Sequence, residues 1–347
     1  MAFDSLATEL LLQIFSSCSS FEDLSALALT CSRFHKVLIS SRRLSIFSIV
    51  AETQYGPLHD AIQIATYNDS QPAHIPREAH FSFALLQQLL EVGRVASAWE
   101  DIYPTKKWNE DNFEDRRLLT DNERYRLRRA VYRLWLYNKA FHNARHPRET
   151  RCMAAVGNQR AKLLRNWSVM DLADMVDVHQ VMRDVLMENI CPSNRVIREK
   201  LGKYFLDGHQ YHAVFNSPYQ NHPSQAGSQY HQFFHHFSSP SKYLDKFLPT
   251  DKHEPGSEGW GDEIPYYYIV EDMLKLDPGQ ILWLWKHAPY KSQVLSYVRE
   301  LGDWFDDNGQ TFGQTLERLM LQRSGGSYDD LRAEIAEGEV GIIAEVQ

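Results

Sequence analysis

The chain has 347 residues and a formal net charge of −8, with 43% hydrophobic, 24% charged and 12% aromatic residues. That aromatic content excludes a disordered chain, since each buried ring removes much apolar area from water, and the negative charge opposes non-specific attraction to a phosphate backbone. One large domain plus a smaller module is expected, because single cores stop growing at roughly 250–300 residues.

The four cysteines (Cys18, Cys31, Cys152, Cys191) include no C-x-x-C pair, which fits a reducing compartment. No basic stretch precedes the first apolar residues, which Asp4 and Glu9 flank. No apolar run reaches the ~18–20 residues of a membrane span. The expected setting is cytoplasmic and/or nuclear, with neither membrane nor nucleic acid as a partner.

Three short helices are predicted first. Leu10, Leu11, Ile14, Phe15 and Cys18 form one broad apolar stripe at helical spacing. Ser16, Ser17, Ser19 and Ser20 interrupt it. A second helix carries Leu24, Leu27 and Ala28 and is opened by the acidic Glu22 and Asp23. A third carries Cys31, Phe34, Val37 and Leu38, with Arg33 and Lys36 facing away. Roughly forty residues is near the limit for an unaided core, yet the segment holds more apolar positions than so small a core covers. Either later helices of the chain or another protein must cover the rest.

Further along, helices are expected over 58–66 and 81–99, separated by a polar turn around Asn68, Asp69, Ser70 and Pro72. A helical block follows over 120–205. Thr120 with Glu123 reads as a capping box, in which hydroxyl and carboxylate satisfy orphan amides reciprocally. Behind it Leu127, Ala130, Val131, Leu134 and Phe141 share a face. Ser168 with Asp171 reads as a second helix start. Residues 207–263 form an irregular stretch rich in His, Ser, Pro and Gly. Asp277-Pro278 marks a third start, Asp suiting the N-cap and Pro the first helical position. Residues 266–270 are the best strand candidate. The expected fold is mainly α: a small three-helix module over 1–45, then a larger α-helical domain over 46–347.

The opening residues resemble a known family. L-A-T-E-L-L-L-Q-I-F (residues 6–15) and D-L-S-A-L-A-L-T-C-S-R-F-H-K-V-L (residues 23–38) are similar to the F-box pattern, which runs Leu-Pro-x-Glu-Leu, Ile-Leu or Ile-Phe, then Asp-Leu, a Leu-rich helix and Cys-x-x-Phe. Two departures are Ala7, where the family usually has Pro, and the absence of a Trp after the third helix. The resemblance implies a non-catalytic receptor without cofactors. Leu6, Ala7, Leu10, Ile14, Phe15, Leu24 and Leu27 would dock onto a Skp-type adaptor and through it a cullin, and the rest of the chain would bind a protein substrate for a ubiquitin ligase. Alternatives are an adaptor-bound regulator outside a ligase, and an enzyme or small-molecule sensor built around Tyr266, Tyr267, Trp283, Trp285 and Trp304. The larger part resembles fungal F-box proteins in Y-G-P-L-H-D-A-I-Q-I-A-T (55–66), R-L-R-R-A-V-Y-R-L-W-L-Y-N-K-A-F-H (126–142), E-P-G-S-E-G-W-G-D (254–262) and D-W-F-D-D-N-G-Q-T-F-G-Q-T-L (303–316).

Other constellations are weighed on their chemistry. Arg126, Arg129 and Arg133 share a helix face, read either as a phosphate or substrate contact or as a solvated face paired with acidic neighbours. His209, His212, His222, His231, His235 and His236 lack the cysteines or acidic partners of a tetrahedral site, so no metal is expected. Asp306, Asn308 and Gly309 imitate the middle of a calcium loop, but in that register Trp304 and Thr315 occupy positions that need carboxylates; a helix-ending turn is expected instead. Gly256, Gly259 and Gly261 have the wrong spacing for a phosphate loop. Cys152 or Cys191 with a histidine would make a nucleophile pair only if the fold joined them.

Overall fold

The structure, a computed structural model, describes residues 6–40, 42–108, 116–197, 199, 259–306, 309–323 and 327–344. The histidines between 209 and 236 lie outside them. The described residues are helical and contain no strand. The chain forms two compact units. One comprises Met1–Ala140, Asn158–His179 and Gln314–Gln347; the other comprises Phe141–Gly157 and Gln180–Gly313.

The first unit begins with α1 (Thr8–Ser16), α2 (Phe21–Leu29), α3 (Ser32–Leu38), α4 (Arg43–Tyr55), α5 (Leu58–Ala65) and α6 (Phe83–Lys107). Helix α4 packs against α1, α2, α5 and α6. It does so because Ile46, Val50, Ala51 and Tyr55 all face inward. Gly93 of α6 lets that helix pass close to Tyr55, since a Cβ there would stand 2.5 Å from the tyrosine ring. Ser82 caps α6 through the Leu85 amide at 3.2 Å. Both expected helices in this stretch are present, α6 running eight residues beyond the predicted end.

Helix α7 (Asp121–Phe141) starts as its sequence predicts. The Thr120 amide donates to Glu123 Oε2 at 2.7 Å, and the Glu123 amide donates to Thr120 Oγ1 at 3.3 Å. Helix α8 (Ala154–Leu164) precedes α9 (Val169–Val185), whose start is likewise fixed by Ser168 and Asp171. Trp99, Tyr103, Tyr132 and Tyr137 are the largest buried side chains of this unit, and each of the three tyrosine hydroxyls has a hydrogen-bond partner. Tyr132 donates to the Tyr55 carbonyl at 2.7 Å, and Tyr103 to Asp177 at 2.6 Å.

The arginines of α7 are neither a phosphate strip nor a solvated face. Arg126 is 8% exposed, forks onto Asp174 at 3.1 and 2.6 Å and donates to the Gly341 carbonyl at 2.8 Å. Arg129 meets Asp171 and Asp174, and Arg133 meets Asp60 and Asp171. Acidic pairing is therefore correct and solvation is not, because α9 and α5 cover the face. Burial alone would raise the Asp171 carboxyl, but Ser168 and the guanidiniums of Arg133 and Arg129 hold it below the usual range. Asp177 accepts from Lys107 at 2.9 Å and from the Ile342 amide at 2.9 Å, tying in the end of α14 (Tyr328–Glu337) and the turn after it. Gly338 ends α14 at φ +80°, a conformation glycine adopts without a Cβ penalty. Helix α13 (Phe312–Arg323) precedes α14.

In the second unit the chain forms α10 (Glu263–Met273), α11 (Pro278–His287) and α12 (Lys291–Leu301). The strand expected at 266–270 is a correction: those residues lie inside α10. Pro265 falls in its first turn, where no intrahelical amide is required, and Tyr266, Val270 and Met273 supply a buried helical face. Asp277 caps α11 with a full capping box through Gln280. Lys275 is buried; its ammonium pairs with Asp272 at 2.8 Å and donates to the Phe305 carbonyl, which fastens the turn after α12. That turn begins at Gly302, just beyond the end of α12 at Leu301.

Candidate partner-docking face

Helices α1 to α3 share one interior with the first half of α4. Leu11, Phe15, Leu24, Ala28, Phe34, Val37, Leu38, Ile46 and Val50 are all buried in it. Phe15 meets Phe34 edge-on with ring centroids 6.1 Å apart, a favourable quadrupole arrangement. Phe21 contacts Phe47, and Phe47 contacts Phe83, each pair at 6.0 Å, so a ladder of three rings runs from α2 through α4 to α6. Gln54 of α4 accepts from the Phe21 amide at 2.9 Å and donates to Glu22 at 3.2 Å, satisfying a helix-start donor that otherwise has no intrahelical acceptor.

The start of α1 is fixed from the side. Arg33 of α3 donates to the Leu6 carbonyl, so it does not simply face solvent. Ala7 is the N-cap residue, with φ −60° and ψ 147°, and its carbonyl accepts from the Leu10 and Leu11 amides at 3.1 and 3.2 Å. Ser20 caps α2 through the Asp23 amide at 3.0 Å. The Asp23 carboxylate lies below its usual range because the Ser19 and Ser20 side chains donate to or orient around it. Between these fixed starts, α1 turns two different stripes outward and inward. Leu11 and Phe15 are buried at 1% and 0% exposure, whereas Leu10, one step around the helix, is 46% exposed and Ile14 is half-buried.

Of the residues singled out from the sequence, Leu10 and Ala7 are exposed, and Leu6, Ile14 and Leu27 are partly so. Phe15 and Leu24 are not on the surface; they belong to the interior, and Leu24 is 2% exposed. Sequence periodicity puts Leu24 and Leu27 on one face, but α4 closes over Leu24 from a position that the motif itself does not contain. Two further exposed aliphatic residues on these helices were not singled out from the sequence. Leu29, the last residue of α2, is 80% exposed, and Ile39, the C-cap residue of α3, is 52% exposed. A leucine or isoleucine at the last turn of a short helix was the available signal. Exposed aliphatic side chains on short helices are the kind of surface that helix-in-groove recognition uses, in which anchors leave water together and polar rims set orientation.

Elsewhere the chemistry is quieter. All four cysteines are free thiols. Burial pushes the Cys191 thiol up, the opposite direction from the lowering that activates a cysteine nucleophile. Tyr266 is core, Tyr267 and Trp283 are about half exposed, and the Trp283 ring stacks with His287 and with Tyr297 at centroid distances of 5.2 and 5.1 Å. Among the described residues no His, Cys, Asp and Glu side chains are grouped to hold a metal, and no helix is long and apolar enough to cross a membrane.

A family model described as F-box-like matches residues 3–45. No curated protein and no solved structure matches the chain.

Proposed function

Given that the chain carries an F-box-like domain over residues 3–45, we propose that it is the substrate-recruiting subunit of a cullin-type ubiquitin ligase, held there through a Skp-type adaptor. The observation that carries this reading is the surplus of aliphatic surface on the F-box helices. Leu10, Leu29 and Ile39 remain 46%, 80% and 52% exposed although the same helices bury a complete interior beneath them. The adaptor contact set is Leu6, Ala7, Leu10, Ile14 and Leu27, extended by Leu29 and Ile39. Phe15 and Leu24 contribute by holding the helices that present it.

The remainder of the chain presents a protein substrate. Its contribution to rate is proximity, which raises the effective concentration of a substrate lysine near a ubiquitin thioester without any catalytic group from this chain. Free thiols suit a reducing compartment, consistent with action in the cytoplasm or nucleus.

The test is co-purification. Leu10→Asp combined with Ile14→Asp places two charges on the docking stripe while leaving Leu11 and Phe15 in place. Adaptor recovery is expected to fall at least tenfold, since hot-spot residues contribute about 2 kcal/mol or more. Wild-type recovery by the double variant overturns the site. Adaptor recovered without cullin instead points to a regulator outside a ligase, the reading that Ala7 in place of the family's proline favours.

A further inference from the structure

Beyond α14 the chain passes from exposure into burial and out again, all within the first unit. Ala336, Glu337, Gly338 and Glu339 are exposed and Val340 is half-buried. Gly341 and Ile342 are then buried, Ile342 at 0% exposure, before Ile343 and Ala344 emerge half-way again. A buried pair joined to its helix by five residues that are not buried opens at lower free energy than the core beneath it, because few apolar contacts hold the link.

What holds this pair is its main chain. Arg126 of α7 donates to the Gly341 carbonyl at 2.8 Å and to the Ile342 carbonyl at 3.4 Å, and Asp177 of α9 accepts from the Ile342 amide at 2.9 Å. Both charges are already matched, Arg126 by Asp174 at 2.6 Å and Asp177 by Lys107 of α6 at 2.9 Å. The groove therefore suits a neutral peptide bond rather than a charged ligand, which would bring an unmatched charge into it. Two side-chain requirements complete the fit. A Cβ on Gly341 would stand 2.7 Å from Asp177 Oδ2, and its φ of +103° is one that other residues rarely adopt. Ile342 is the side chain that leaves water entirely. Main-chain hydrogen bonds for affinity and a side-chain pocket for specificity are the means by which peptide grooves work.

We propose that this groove is a peptide-reading site, occupied in cis by the chain's own Gly341-Ile342, and that it takes a partner peptide in which glycine precedes a branched aliphatic residue. The inference rests on the receptor reading above for its biological sense, since it names the class of substrate segment recruited. The resident segment keeps the site shut. Its short tether gives it an effective concentration in the millimolar range, and a free peptide binds more weakly by the fraction of molecules whose groove is open.

The experiment is fluorescence anisotropy with the full-length protein and three labelled probes. The first is Gly-Glu-Val-Gly-Ile-Ile-Ala, the sequence of residues 338–344; the second has Asp in place of its first isoleucine; the third is the foreign Ser-Ser-Gly-Ile-Ser-Ser. Two variants eject the resident segment by different means. Ile342→Asp does so because a buried charge there has no partner, and Gly341→Val through backbone strain and contact with Asp177. Each variant is expected to bind the first probe at least tenfold more tightly than the wild type does, and to regain its lost melting temperature when that probe is saturating. The foreign probe should follow the first within tenfold, and the Asp probe should not bind. Equal affinity in wild type and variants, binding of the Asp probe, or no binding by folded variants overturns the proposal. Failure of the foreign probe alone also overturns it, because the groove then serves only the chain's own segment. Loss of cooperative unfolding in both variants does the same, since Gly341-Ile342 would belong to the core rather than fill a site on it. Adaptor pull-down is run on the same samples. Adaptor bound without probe sinks the groove alone; probe bound without adaptor sinks the ligase reading alone.

Discussion

At the residue scale, Ala7 shows how a sequence departure and a backbone angle bear on each other. Its φ of −60° is the value a proline ring imposes. The backbone has therefore kept the shape of the family's proline without the residue that stiffens it. Ala7→Pro should lower the entropy of the unfolded chain at little strain, stabilising the protein by about 0.4–1 kcal/mol. The same stiffening should tighten adaptor binding roughly two- to fivefold if the free N-terminus samples other shapes. Thermal unfolding and titration of the adaptor would measure both; a lower melting temperature for the proline variant would contradict the geometry. Leu10 and Leu11 make the complementary point. They are chemically identical neighbours, and the sequence does not say which is the anchor and which is core until α3 and α4 close over one of them.

At the element scale, the helix starts were the most legible features, since a cap is settled within four residues. Thr120 with Glu123, Ser168 with Asp171 and Asp277 with Pro278 all act as their spacing predicts. Residues 266–270 were misread because aromatic and β-branched residues favour strands only when nothing else intervenes; a buried helical face decided otherwise. The arginines of α7 were legible as a row but not as a buried one, since Asp171 and Asp174 lie some 45 residues away in sequence. Their burial sets up a definite energetic outcome. Removing one partner of a buried pair strands the other, so Arg126→Ala should cost about 3–5 kcal/mol. Arg126→Met combined with Asp174→Leu removes both charges and should be milder than either Arg126→Ala or Asp174→Ala alone. Thermal midpoints that rank the double replacement lowest would refute this account of the α7–α9 contact.

At the scale of the whole molecule, the force behind the proposed adaptor contact should show under salt. The F-box face is aliphatic, so adaptor affinity should change by no more than about twofold between 0.1 and 0.5 M sodium chloride, where screening shortens to a few ångströms. Adaptor titrations at the two salt concentrations measure this, and a steep loss of affinity would count against an aliphatic face. The N-terminal motif and the all-helical character were readable from the sequence because both are written in local spacing.

The part played by Ile46, Phe47, Val50 and Gln54 has a practical consequence for anyone who handles this protein in pieces. A fragment trimmed at the edge of the matched motif would forfeit two interior aliphatics, the middle ring of the phenylalanine ladder and the clasp on Phe21. It would expose grease that belongs inside. Extending the cut to Tyr55 restores all four, so the smallest portable piece ends a helix later than the motif does.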